Sequence, residues 1–320
     1  MASKASRTSS RDRDRERRGS HRARTYSFLG TVIVIAVLIA ASYTASLPRV
    51  EHIPQDYKFT PQPWMRYVAA DMNYVSYVDY QRSVSVSGNA TLFGTKPFVE
   101  IRQFDVDLGP DEIVFEVAIQ SKDSDGGRTI TLLKLQDQTL AKLEAGNVND
   151  NRTVISTHGS HILLGVLMRK LGEQTSSLGY FTISSGYLLI STNGAIGRYD
   201  LERALDQYDL NAPSLFDNPL VKRAIYASGI SVQPYIGLFV GMFPTQLDQT
   251  TMVVKSIVQD GTGILVTRSM RLPSTDQAVA EYGQAHQAYR DATTYRILDE
   301  YLVISYAYST NKLAFELRGI

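Results

Sequence analysis

The sequence predicts an α+β protein: an N-terminal transmembrane helix, then an extracytoplasmic domain of mostly antiparallel sheets with helices packed on one face. Three observations predict it. Residues 27–43, SFLGTVIVIAVLIAASY, carry no charge, and an arginine-rich head precedes them. Most of the chain beyond residue 70 alternates apolar and polar side chains at period two, broken by turn residues. Between those runs, four shorter stretches keep apolar residues at helical spacing. Hairpin signals take the place of βαβ units, and no GxGxxG follows an opening strand, so a Rossmann-like domain has no support.

The first fifty residues set the topology. Residues 1–24 hold nine Lys or Arg against three acidic residues, a net charge of +6, whereas residues 25–320 net −5. Basic residues beside a first apolar segment tend to stay cytoplasmic, which puts the N-terminus inside and the C-terminal domain outside. A bilayer needs about 20 apolar residues, with a lower limit near 17. Phe28 to Ser46 meets that limit, and Pro48, Arg49 and Glu51 mark the exit. A cleaved signal peptide is the rival reading, because Ala41, Ser42, Ala45 and Ser46 suit a peptidase. Head plus core is longer than the usual ~15–30 residues of such peptides. The acids Asp12, Asp14 and Glu16 interrupt the basic run, so weak lipid contact is expected of the head and nucleic acid is not.

The domain plan is then a disordered basic cytoplasmic head (1–25), a transmembrane helix (26–46) and a proline-rich stalk (47–66). Two α+β segments follow, 67–230 with a helical connector and 231–320. The chain has no cysteine, which excludes disulfides, thiol nucleophiles and thiolate metal sites. An exported domain without disulfides fits a prokaryotic surface. Asn89-Ala90-Thr91 and Asn151-Arg152-Thr153 are acceptor sequons in polar stretches, so Asn89 and Asn151 are candidate glycosylation sites.

Trp64 is expected to begin the core. Strands are read at Tyr74–Tyr80, Phe98–Leu108, Glu112–Ile119 and 128–135, with turns at Gly109-Pro110-Asp111 and Ser124-Asp125-Gly126-Gly127. Ser160 is expected to cap a helix over HILLGVLMRKL, ending at Gly172. Residues 180–192 read as a hairpin turning at Ser185-Gly186. Asp200 is expected to cap the helix LERALDQY, and Asn218-Pro219 to start LVKRAIY, with proline at the first helical position. Strands return at Tyr235–Val240, Met252–Val258 and Ile264–Met270, the last two joined at Asp260-Gly261. The longest helix is Ser274–Asp291, and strands are read at Tyr295–Leu298, Tyr301–Tyr308 and Leu313–Leu317. Strands, a helix and further strands recur in both segments. This suggests two related halves, matched in architecture and not residue by residue.

Chemistry is sparse. His158 and His161 can share a metal only with further ligands, and no HExxH or helically spaced carboxylate joins them. They read as a polar helix entry whose replacement by alanine leaves thermal stability unchanged. His286 reads as a core or interface histidine. GxSxG and SxxK are absent, and GTGILVTRS lacks the GK[ST] of a phosphate loop. Asp105 with Asp107, and Asp299 with Glu300, are the carboxylate pairs that a glycosidase would need; a wet sheet face and a hairpin turn explain them equally. Tyrosine occurs 19 times. Tyr74, Tyr80, Tyr306 and Tyr308 are the candidate interaction surface, because tyrosine offers large contact area and tolerates water. GLFVGMFP, 237–244, is too short to span a bilayer and reads as a central strand.

No catalytic residue, metal or cofactor is expected. The reading is a single-pass membrane protein presenting a structural or interaction domain outside the cell. Its partners are membrane lipid through residues 26–46 and other envelope proteins or a second copy. An exported hydrolase acting on envelope polysaccharide and a glycan-binding module are the alternatives.

Overall fold

The computed structural model describes residues 48–94, 98–101, 104, 106–121, 128–146, 153–170, 175–229, 235–244 and 250–318. The basic head, the apolar segment 26–46, Asp105 and Asn151 lie outside the described residues. Val50–Ile320 forms one compact unit. It is α+β: the described residues include six α-helices and a large mixed sheet of fifteen strands.

The strands are β1 (Val50–Glu51), β2 (Tyr74–Asp79), β3 (Val99–Ile101), β4 (Val106–Leu108), β5 (Ile113–Ser121), β6 (Arg128–Leu135), β7 (Val154–His158) and β8 (His161–Lys170). They continue with β9 (Ser177–Ser184), β10 (Tyr187–Ser191), β11 (Tyr235–Pro244), β12 (Thr250–Asp260), β13 (Gly263–Arg271), β14 (Thr294–Leu298) and β15 (Tyr301–Ser309). The helices are α1 (Tyr80–Ser87), α2 (Asp137–Ala145), α3 (Gly197–Asp209), α4 (Pro219–Ala227), α5 (Thr275–Ala288) and α6 (Leu313–Arg318). Neighbours run β1-β14-β15-β13-β12-β11-β2-β5-β6-β10-β9-β8-β3-β4, with β7 also on β8. Pairing is antiparallel except between β1 and β14.

Helices lie on both faces, not on one. Val75, Val117, Leu132, Leu189, Leu238, Val254 and Val303 pack on one side with Leu201 of α3, Val221 of α4 and Trp64. On the other side Leu133, Leu188 and Ile190 pack with Tyr80 of α1, while Leu302 and Ile304 pack with Ala285 of α5 and Leu313 of α6. The cause is visible along β15, where Tyr301 to Tyr306 are buried without interruption. A strand apolar on both faces demands cover on both. The segment expected as a stalk contributes Val50–Glu51 to the sheet and a 3-10 helix at Pro63–Tyr67; Trp64 is 2% exposed.

Several local expectations are corrected. HILLGVLMRK is strand β8, not a helix capped by Ser160. Gly159 (φ 55) and Ser160 close a two-residue hairpin in which His158 pairs with His161. Leu163, Leu164, Gly165 and Val166 are all buried, so the period-two signal is lost and the run mimics a core helix. Gly165 also lets the Tyr180 ring approach: a Cβ there would stand 2.8 Å from it. Phe98–Leu108 is two short strands, with Val99 opposite Leu108. Leu313–Leu317 is helix α6; Leu313, Glu316 and Leu317 are buried at helical spacing. α3 begins before Asp200, which lies inside its first turn, 3% exposed. α4 starts at Asn218-Pro219, where the Asn218 side chain accepts from the Leu220 N–H. α5 is capped by Ser274, but His286 on it is exposed and lies against Tyr295, ring centroids 3.9 Å apart. β11, which holds GLFVGMFP, runs between β12 and β2.

The sheet contains the same topology twice. β2, β5, β6, α2, β9 and β10 form the order β2-β5-β6-β10-β9, and β11, β12, β13, α5, β14 and β15 form β11-β12-β13-β15-β14. β2 and β11 pair antiparallel at the junction, Ser76 opposite Phe239. The last hairpins of the two sets turn at Ser185 (φ 51) and Asp299 (φ 52). Superposing those turns aligns ISSGYLLIS (183–191) with ILDEYLVIS (297–305). Ile183/Ile297, Tyr187/Tyr301, Leu188/Leu302, Ile190/Ile304 and Ser191/Ser305 are then identical, a residue-level match that the sequence alone did not reveal.

Candidate functional site

The β7–β8 hairpin presents the most exposed apolar strand surface. β7 pairs with β8 alone, so its other edge has no strand partner among the described residues. Val154 is 50%, Ile155 54% and Ile162 57% exposed. Ile155 sits opposite Leu164 and Thr157 opposite Ile162, which places Ile155 and Ile162 on one face and Val154 on the other. An exposed edge carrying branched apolar side chains is a template for another chain's strand.

Two imidazole–carboxylate bonds hold the hairpin to α3. His158 Nε2 lies 2.7 Å from Asp206 Oδ1, and His161 Nε2 lies 2.9 Å from Asp209 Oδ2. Asp206 and Asp209 are three apart and share a helical face, so the strand turn and the helix end meet at two points. This replaces the expected helix entry. It also gives the histidines a structural role that the sequence did not assign. No group of three or more His, Cys, Asp or Glu among the described residues could hold a metal.

The acidic pair at 299–300 forms a second polar cluster. Asp299 takes up the left-handed turn conformation and its carboxylate accepts from the Ile53 N–H at 3.1 Å and from Arg223 at 2.7 Å, with His52 Nδ1 at 2.8 Å. Glu300 lies 3.5 Å from Arg271 and 3.6 Å from Arg223. Although desolvation pushes the Asp299 carboxyl upward, His52, the Ile53 N–H and Arg223 together hold it below the ordinary carboxylate value. Both carboxylates are therefore committed to joining the β14–β15 turn, α4 and the segment after β1. Asp107 is exposed on β4, opposite Glu100.

The tyrosines expected to form a surface do not share one environment. Tyr80 (7% exposed) is turned into the core, its hydroxyl donating to Glu116 at 2.7 Å. Tyr306 is also 7% exposed and stacks on the half-buried Tyr308, centroids 5.8 Å apart. Tyr74 is half-buried beside Phe239. Asn89 is exposed after α1, and its Oδ1 accepts from the Thr91 N–H and hydroxyl, each at 3.0 Å.

No family model and no curated protein matches the chain. Among solved structures, three crystal forms of TP0453 are similar to it. Form I has a TM-score of 0.44 at 10% identity, and form IV 0.42 at 9%; both comparisons cover 82% of this chain and 99% of the other. Form III has a TM-score of 0.35 at 10% identity over 82% of this chain and all of the other. A likeness at that level carries no functional argument.

Proposed function

We propose that this chain is a membrane-anchored interaction protein, N-terminus inside, whose α+β domain stands outside the cell and docks a partner strand on the β7 edge. The anchor part rests on the sequence: an uncharged run at 27–43 behind a head of net charge +6. The docking part rests on one observation, the β7 edge, which has no strand partner among the described residues and carries Val154, Ile155 and Ile162 half or more exposed. Envelope proteins and a second copy of the chain are the partner classes. The four tyrosines are not the main surface in this reading, since two of them are buried. The two topological sets are read as an internal duplication, supported by the five identities between the hairpins at 183–191 and 297–305.

The test is native mass spectrometry of the full chain extracted gently from its membrane, beside the variant Val154→Asp/Ile155→Asp. The expected result is a defined complex in the parent that is lost in the variant, whose melting temperature stays close to the parent's. An assembly unchanged by the two aspartates would refute the docking edge.

A further inference from the structure

We propose that the first topological set carries a ligand site. The cavity between β5, β6, the end of β10 and the β3–β4 hairpin takes a small amphiphile with an apolar body and an uncharged hydrogen-bonding head. The cavity measures about 260 Å³. That is just below the ~300–1,000 Å³ of sites for drug-sized molecules, so the ligand is smaller. Phe98 and Leu108 supply apolar wall, and Glu116, Thr129, Thr131 and Thr192 supply polar groups.

Those polar groups are under-used. Glu116 Oε2 accepts from the Tyr80 hydroxyl at 2.7 Å. Among the described residues no hydrogen bond engages its other oxygen or the three threonine hydroxyls. Half-buried hydroxyls converging on a cavity with an apolar wall are the arrangement that orients a ligand's polar end. Burial raises the Glu116 carboxyl above its ordinary value, the Tyr80 bond opposing only in part. Among the described residues no lysine or arginine lines the cavity, and the desolvation that raises the Glu116 carboxyl disfavours a further negative charge beside it, so a neutral head fits better than an anion.

The second set shows what normally fills this slot. With the turns at Ser185 and Asp299 superposed, Ile190 corresponds to Ile304. Across the ladders Ile190 faces Thr131 and then Ala118; Ile304 faces Arg268 and then Lys255. In the second set α6 lies over that row. Lys255 Nζ is 3.0 Å from Glu316 and donates to its backbone carbonyl at 2.6 Å, while Leu313 and Leu317 fill the apolar part. In the first set the chain after β10 goes to α3, which packs on the opposite face with Leu201 and Leu205. The corresponding slot is left to the β3–β4 hairpin, which leaves space.

The experiment is equilibrium dialysis of labelled 1-hexanol, hexylamine and hexanoate, at pH 7.5, against the full-length chain in lipid nanodiscs, with empty nanodiscs subtracted. One hexanol should bind saturably per chain, at least tenfold tighter than either charged probe. Thr131→Val removes one hydroxyl at nearly constant shape and should weaken hexanol roughly two- to tenfold; Thr131→Phe fills the space and should abolish binding. Absence of saturable hexanol binding would overturn the site. So would tighter binding of hexylamine or hexanoate, or hexanol binding that neither variant changes.

Discussion

Asp299 joins three parts of the chain with one carboxylate. It accepts from a backbone N–H after β1 and from Arg223 of α4, and it pairs with His52, while its own backbone turns β14 into β15. Asp299→Ala should lower stability by about 1.5–3 kcal/mol, the range for hydrogen bonds to charged groups, measured by urea denaturation. Asp299→Asn tolerates the left-handed backbone and should lose less. Because the folded carboxyl titrates below its ordinary value, its contribution is complete above about pH 4 and vanishes as pH falls through the folded value. The variant and parent should therefore converge in strong acid. Glu116 has the opposite sign. Its folded value is raised, so the folded state prefers the protonated acid, and ionisation costs stability as pH rises from the ordinary value through the folded one. Glu116→Gln should melt with the parent near pH 4 and above it at pH 8. Equal melting at both would contradict the burial of that carboxyl.

At the scale of elements, the hairpins decide most of the architecture. Ser185-Gly186 and Asp260-Gly261 were legible as turns, because glycine beside a polar residue between apolar runs states the turn directly; the second closes one residue later than read, at Gly261-Thr262, with Asp260 paired to Gly263. Gly159-Ser160 carries the same signal, yet LLGVLM after it reads as helix. The information that makes it a strand lies in its pairing with β7 across the turn, with β9 after it and with β3 from much earlier in the chain. α6 failed in the reverse sense, since a six-residue helix holds too little period to be told from a strand. The histidines follow from the same error. Once His158 and His161 flank a hairpin turn, they meet Asp206 and Asp209 of α3. Each exposed pair is worth roughly 0.2–1 kcal/mol, so His158→Ala/His161→Ala should lower the melting temperature measurably in low salt and less in high salt. An unchanged melting temperature at both salt concentrations would remove the structural role given to these bonds.

At the scale of the whole molecule, the mixture of period-two and helical spacing announced an α+β protein. It could not announce that one sheet runs through both sets, because the β2–β11 junction is a pairing between residues more than 150 positions apart. The repeat was also hidden. The two sets differ by the β3–β4 and β7–β8 insertions in one and by the fate of the chain after β10 and β15, and only the shared turn aligns them. The candidate sites inherit that difference: the β7 edge and the Glu116 cavity both belong to what the first set has and the second lacks. Asp299 and Glu300 clamp a turn, and Tyr80 and Tyr306 serve in packing. Glu116 carried no signal, because its bond to Tyr80 and its place beside the threonines of the cavity appear only when β5 meets β6 and α1.

The central claim is a domain held outside by an anchor whose head stays inside, and the absence of cysteine makes its test direct. Ser6→Cys and Ser160→Cys would be introduced singly into the full chain and treated with a membrane-impermeant maleimide in right-side-out membrane vesicles. The account predicts that Cys at 160 is labelled at once and that Cys at 6 is labelled only after the membrane is dissolved. Labelling of both in sealed vesicles, or of 6 alone, would contradict it.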